Sequence, residues 1–175
     1  QDDVAEMARN LSRQGFREKE KGSYYAAASF CFGANVRYRY LEFASQNLTA
    51  DEITSQAGEL KRQIADFENG LKDASTVSDA QTLAIVRDRA EEARKHTNIS
   101  IAALKANNSD FSIFELAFAV ERLKSAEVWS SFIGVMKESH ISKEMLKNAC
   151  INKLAEAQER VEYSAILLGS SSDGA

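Results

Sequence analysis

The feature that most constrains the fold is an absence: there is no proline in 175 residues. Average usage would supply about nine. Proline breaks helix interiors, so a chain without it is free to build long uninterrupted helices. The apolar spacing says that it does. Ile53, Ala57, Leu60, Ile64, Phe67 and Leu71 follow one another at steps of four and three, a heptad seam that packs along its whole length. Thr49-Ala-Asp-Glu52 before it reads as a capping box, the hydroxyl capping the helix while the glutamate reaches back.

Five further helices follow from the same rules. The first starts after Asp2 or Asp3 and stops at Gly22. The second, from about 23 to 45, is the most apolar stretch and is rich in small residues that permit close helix approach. A second capping box, Ser78-Asp-Ala-Gln81, opens a fourth helix carrying Leu83, Val86, Ala90, Ala93, Thr97, Ile101 and Leu104. A third, Ser112-Ile-Phe-Glu115, opens a fifth that runs to about Lys137. Ser142 caps a sixth, with Leu146, Cys150, Leu154, Ala157, Val161 and Leu168 on its apolar face. The expectation is an all-α domain over 1–168, of five or six long antiparallel helices, followed by a disordered Gly/Ser tail at 169–175. Ala5-Glu-Met-Ala-Arg9 resembles Ala90-Glu-Glu-Ala-Arg94, and the turns at Gly22 and Asn108 follow at similar distances. Two tandem three-helix units, 1–75 and 78–168, would explain this, as would chance similarity between Ala/Glu-rich amphipathic helices.

The chemistry is sparse. His96 and His140 fit no metal-ligand spacing, and both are expected in solvated or capping roles. No glycine-rich phosphate loop or nucleophile elbow is present, so neither a cofactor nor a catalytic residue is assigned. The net charge of −4 argues against nucleic acid. No apolar run reaches the roughly 20 residues of a membrane span. Cys31 and Cys150 fall on expected apolar faces, as two free thiols or as one bridge. Trp129 and Phe132 read as core.

Cations and aromatics interleave in one place, Arg37, Tyr38, Arg39 and Tyr40, with Tyr24 and Tyr25 earlier on the same helix. This is either a groove for a ligand or partner peptide, or an inter-helix contact in which arginine stems cover tyrosine rings. Asn10, Asn47, Asn98 and Asn107 each open a glycosylation acceptor pattern, where composition alone gives about one. Clustering of Asn, Ser and Thr at helix caps supplies part of that excess. The chain begins Gln-Asp-Asp without Met, which reads as a piece of a longer protein. The expected location is extracytoplasmic, or membrane-associated through the parent, with cytoplasmic as the alternative.

Two resemblances add to this. The first hairpin, a helix with small residues followed by Gly22-x-Tyr24, is similar to a tetratricopeptide unit, although the 34-residue spacing does not continue. Gly22-Ser-Tyr-Tyr-Ala-Ala-Ala-Ser-Phe-Cys-Phe-Gly-Ala-Asn-Val-Arg-Tyr38 and Ala157-Gln-Glu-Arg-Val-Glu-Tyr163 resemble the helical region that follows the catalytic domain in archaeal secreted Lon-like serine peptidases. That family uses a Ser–Lys dyad, with the serine beside a proline; this chain has no proline, so no catalytic position carries over. The resemblance implies a non-catalytic accessory domain whose partner is its own catalytic domain or another protein. A self-contained helical binder using the Tyr/Arg cluster is the alternative.

Overall fold

A computed structural model describes residues 2–135 and, beyond them, positions 144, 147, 148, 150, 151 and 154, which are helical. The chain is all-α. Among the described residues it forms α1 (Asp2–Glu20), α2 (Tyr24–Ser45), α3 (Ala50–Asn69), α4 (Val77–Lys105) and α5 (Ser109–Ser130), with no strand. The remainder of the expected sixth helix and the 169–175 tail lie outside the described residues.

Local chemistry sets the helix ends. Gly22 takes φ +78°, and Ser23 N–H reaches Glu18 C=O at 2.9 Å while Gly22 N–H reaches Lys19 C=O at 3.0 Å. This is a Schellman turn, and glycine accepts its left-handed residue without strain. Asn107 does the same work at the end of α4, with φ 58° and Asn108 N–H on Ala103 C=O at 2.9 Å. Thr49 caps α3, and Glu52 completes the capping box with both of its bonds. The other two boxes are displaced. Thr76, not Ser78, caps α4, its hydroxyl accepting from Asp79 N–H. Asn108, not Ser112, caps α5. A pattern search finds hydroxyl–acid pairs but cannot see which one stands where the chain turns.

Helix α5 is the centre of the molecule. It packs on α4, α2 and α3, so its buried residues, from Ser112 through Leu116 and Ala119 to Ala126, spread around more than one face. Phe32 meets Phe118 and Tyr40 meets Phe114, so α2 runs opposite to α5. Helix α4 also runs opposite to it, through Arg89–Ser125 and Ser100–Ser112. Leu60 lies beside Leu116 and Val120, and Phe67 beside Ser130, so α3 runs in the same direction as α5. The main core joins Tyr40 and Phe43 to Ile53, Ala57, Leu60 and Ile64 of the α3 seam and to Ala90, Ala93, Leu116 and Leu123. Burying each large aliphatic side chain there contributes about 1.5–3 kcal/mol.

Small residues let α4 and α5 approach. Ser100 and Ser112, both fully buried, exchange hydroxyl-to-carbonyl bonds of 2.8 Å, satisfying each other at the crossing. Helix α1 is peripheral. It packs chiefly on α2, where a Cβ on Gly15 would stand 2.7 Å from Cys31 Sγ, and Val4 reaches the main core. Cys31 and Cys150 are free and exposed, a correction to their expected burial: the Cys31 thiol sits at the rim of the α1/α2 contact rather than under it.

Helix α5 ends at Ser130, earlier than the expected 137. Ser130 and Ser131 hydroxyls donate back to Glu127 and Val128 carbonyls, and Gly134 turns at φ +80°. Buried Asp79 holds that turn, accepting from Gly134 N–H at 2.7 Å and from Ser75 N–H and hydroxyl at 3.3 and 2.8 Å.

Candidate functional site

The six Tyr/Arg positions do not form one groove. Arg37 through Tyr40 lie about 20 Å along α2 from Tyr24, at 1.5 Å per residue, and they are committed to packing. Tyr40 is buried, with its ring edge-on to Phe114 and its hydroxyl donating to Asp110. That bond to a carboxylate, with burial and the Asp110 charge adding to it, pushes the phenol up to about 12. Arg39 Nε donates to Glu121 at 3.0 Å, Nη1 to Glu42 at 2.6 Å, and its guanidinium lies 5.8 Å from the Phe43 ring. Lys124 also donates to Glu121. Arg37 folds back on the Gly33 carbonyl at 2.9 Å, and Tyr38 is exposed beside Arg39. The Arg37–Tyr40 stretch is thus an α2/α5 joint, and its one exposed aromatic borders a slot whose charges are already paired.

Tyr24 and Tyr25 differ. They open α2 and stand 70% and 82% exposed, with Phe16 at 65% within two turns on the facing helix. Three large rings at one hairpin end have no core to fill. They can stack on or wedge into another surface.

A second cation–aromatic set escaped the sequence reading. The Arg122 guanidinium lies between Phe32, at 4.1 Å, and Phe118, at 5.0 Å, with Glu92 Oε2 2.9 Å from its Nε. Burial pushes this guanidinium below its ordinary value; Glu92 opposes that and neighbouring Arg89 adds to it. Arg89 donates to Ser125 and lies 5.4 Å from the Trp129 ring. Neither Nε has a well-aligned acceptor. His96, expected in solvent or at a cap, stacks on Phe118 at 4.0 Å and bonds the buried Glu115, while His140 lies outside the described residues. These residues come from three helices, so no local window holds the pattern. The only sequence signal is that 89, 92 and 96, like 118, 122, 125 and 129, recur at helical spacing.

Among the described residues no group of three or more His, Cys, Asp or Glu side chains could hold a metal ion. None of the described helices is long and apolar enough to cross a membrane. Of the four acceptor asparagines, Asn47 and Asn107 stand exposed in turns with φ 50° and 58°. Asn10 and Asn98 are exposed on helices, and the Ser100 that completes the Asn98 pattern is buried in the serine pair.

Beside the peripheral hairpin and its exposed rings, comparison adds no relative: no protein-family model matches the chain, and no curated protein or solved structure is significantly similar to it.

Proposed function

We propose that the chain is a non-catalytic helical interaction domain that docks on another protein through the free end of the α1/α2 hairpin. The carrying observation is the exposure of Phe16, Tyr24 and Tyr25 together at that end. Large aromatic rings left in water at one place mark a contact surface more often than chance, because burying them on binding contributes both area and defined geometry. In the Lon-like reading the other protein is a catalytic domain joined to the same polypeptide, and this domain supports its stability, assembly or substrate access. Export of that assembly rests on the exposed acceptor patterns at Asn47 and Asn107.

The alternative, a self-contained peptide or ligand binder built on the Tyr/Arg cluster, has a weaker basis. Arg39 is neutralised by Glu121 and Glu42, and Tyr40 is tied to Asp110, so the stretch has little left to offer a ligand.

A photo-crosslinking phenylalanine analogue at position 25, in the natural protein in its own cell, tests the docking surface. The expected adduct joins position 25 to a residue outside 1–175, and Tyr24→Ser abolishes it without changing helix content. Adducts confined to residues 1–175 would sink the reading. Incubating the 175-residue chain with unfolded casein and fluorogenic peptides tests the non-catalytic half. Turnover removed by a point change within the chain would refute it.

A further inference from the structure

We infer, resting on the docking reading above, that the partner meets the hairpin end with an acidic protein surface, its carboxylates ranged around a recess that takes the rings. Between residues 9 and 25 the chain carries five cations, Arg9, Arg13, Arg17, Lys19 and Lys21, against Glu18 and Glu20, while its net charge over 175 residues is −4. Helical spacing places those charges. Arg9, Arg13 and Arg17 recur at steps of four, one row along α1, and all three are exposed. The row lies away from Ala8 and Gly15, which are buried. Phe16 borders it, with Arg13 three residues before and Lys19 three after. On the other side of the turn Lys21 leads through Gly22 and Ser23 into Tyr24 and Tyr25. Helix α2 opens there with no acidic residue in its first turn and no side-chain cap from Ser23, so its positive end adds to the same field.

The cations at this end are still to be answered. Lys21 pairs with Glu18 at 2.6 Å, and Arg13 donates to the Asn10 amide oxygen. Among the described residues Arg9, Arg13, Arg17 and Lys19 have no carboxylate partner. Two other exposed rings lack such company. Phe132, expected in the core beside Trp129, is exposed, but the arginines on that side are engaged, Arg89 over the Trp129 ring and Arg122 with Glu92. Tyr38 stands beside Arg39, which Glu42 and Glu121 neutralise. Rings in water beside unpaired cations therefore mark the hairpin end, and carboxylates complement them. A lipid or nucleic-acid surface presents unbroken negative charge, which Glu18 and Glu20, interleaved with the cations, oppose. A folded protein can set a donor against each glutamate and a carboxylate against each arginine. Arginine forks on carboxylates and buried tyrosine rings are also the contacts that dominate protein–protein interfaces.

The crosslinking phenylalanine analogue at position 25, in the natural protein in its own cell, tests the partner's chemistry when the charges are varied. With Arg13→Glu and Arg17→Glu added, the yield of adducts to residues outside 1–175 should fall about tenfold or more, because two attractions become repulsions. Arg13→Gln with Arg17→Gln, which only removes the charges, should give a smaller loss. Lys61→Glu with Lys72→Glu makes the same change of net charge at exposed positions elsewhere and should leave the yield unchanged. Helix content should be the same in all of these proteins. The peptide joined to position 25 should carry more Asp and Glu than Lys and Arg. Undiminished adducts after reversal at 13 and 17, or a basic peptide at the crosslink, overturn the acidic partner and leave the docking reading standing. An equal loss in the two reversed pairs overturns it too, since net charge alone would then decide. Adducts on lipid or nucleic acid overturn it in favour of that surface. Adducts confined to residues 1–175 remove the docking reading itself, and the acidic partner with it.

Discussion

Tyr40 and Asp79 show how single side chains tie distant parts of this chain together, and each leaves a pH signature. The Tyr40 hydroxyl donates to Asp110 across 70 residues, and the phenol is raised from 10 to about 12. The fold therefore favours the protonated ring: its contribution is complete below the unfolded value near 10 and is lost as pH rises through about 12. Of the five tyrosines, one should ionise late in an ultraviolet titration, and Tyr40→Phe should remove that phase at a cost of about 1–2 kcal/mol in stability. A single shared titration would show that the bond does not form. Asp79 works in the opposite sense. Gly134 N–H and the Ser75 hydroxyl, as the largest contributors, hold its carboxyl down to about 2 from 3.8. The fold favours the carboxylate, so its contribution is present above about 4 and is lost as pH falls toward about 2. Thermal unfolding should steepen its decline across that window, and Asp79→Asn should flatten it. Parallel curves for the two proteins would count against the staple between the α4 cap and the turn after α5.

Among elements, α3 was the most legible in the sequence, and the reason is physical. One face of α3 is buried and the other is wet, so Ile53, Ala57, Leu60 and Ile64 print a clean period, and all four are buried. Phe67 is half-buried and Leu71 falls beyond the helix, where the seam ends. Replacing fully buried Ile64 with Asp strands a charge in the seam and should cost several kcal/mol. Ile64→Ala should cost about 2–5 kcal/mol in a denaturant titration. An unchanged melting temperature for Ile64→Asp would mean that the seam packs elsewhere. Helix α5 was less legible because it is covered on several sides, and a helix buried on several faces has no period to read. Its caps went astray for a related reason: Ser112 looks like a cap in sequence but serves the buried pair with Ser100. The candidate site divided likewise. Exposed rings at Tyr24 and Tyr25 follow from a turn beside Gly22, a local signal, whereas the Arg122 stack depends on contacts spanning 30 to 90 residues.

At the scale of the molecule, burial is graded from centre to edge, and that grading predicts the order in which the chain opens. Helix α5 buries residues toward α2, α3 and α4, while α1 buries only Ala8 and Gly15. Removing α1 uncovers only two buried residues of its own, both small, whereas freeing α5 dismantles the main core. Local opening costs free energy in proportion to the large apolar side chains it uncovers. Helix α1 buries none of these while α3 buries Ile53, Leu60 and Ile64, so α1 and α5 should not exchange their amides together. Native-state hydrogen exchange should place α1 lowest, well below the global value, and α5 with the facing α3 seam at the top. The order bears on function. The rings at Phe16, Tyr24 and Tyr25 sit on the hairpin that contains the weakest helix, so a partner that covers them should tighten α1 more than any other element. Uniform protection across α1 and α5 would remove the gradient, and with it the argument that the hairpin is the part of this fold left for a partner to complete.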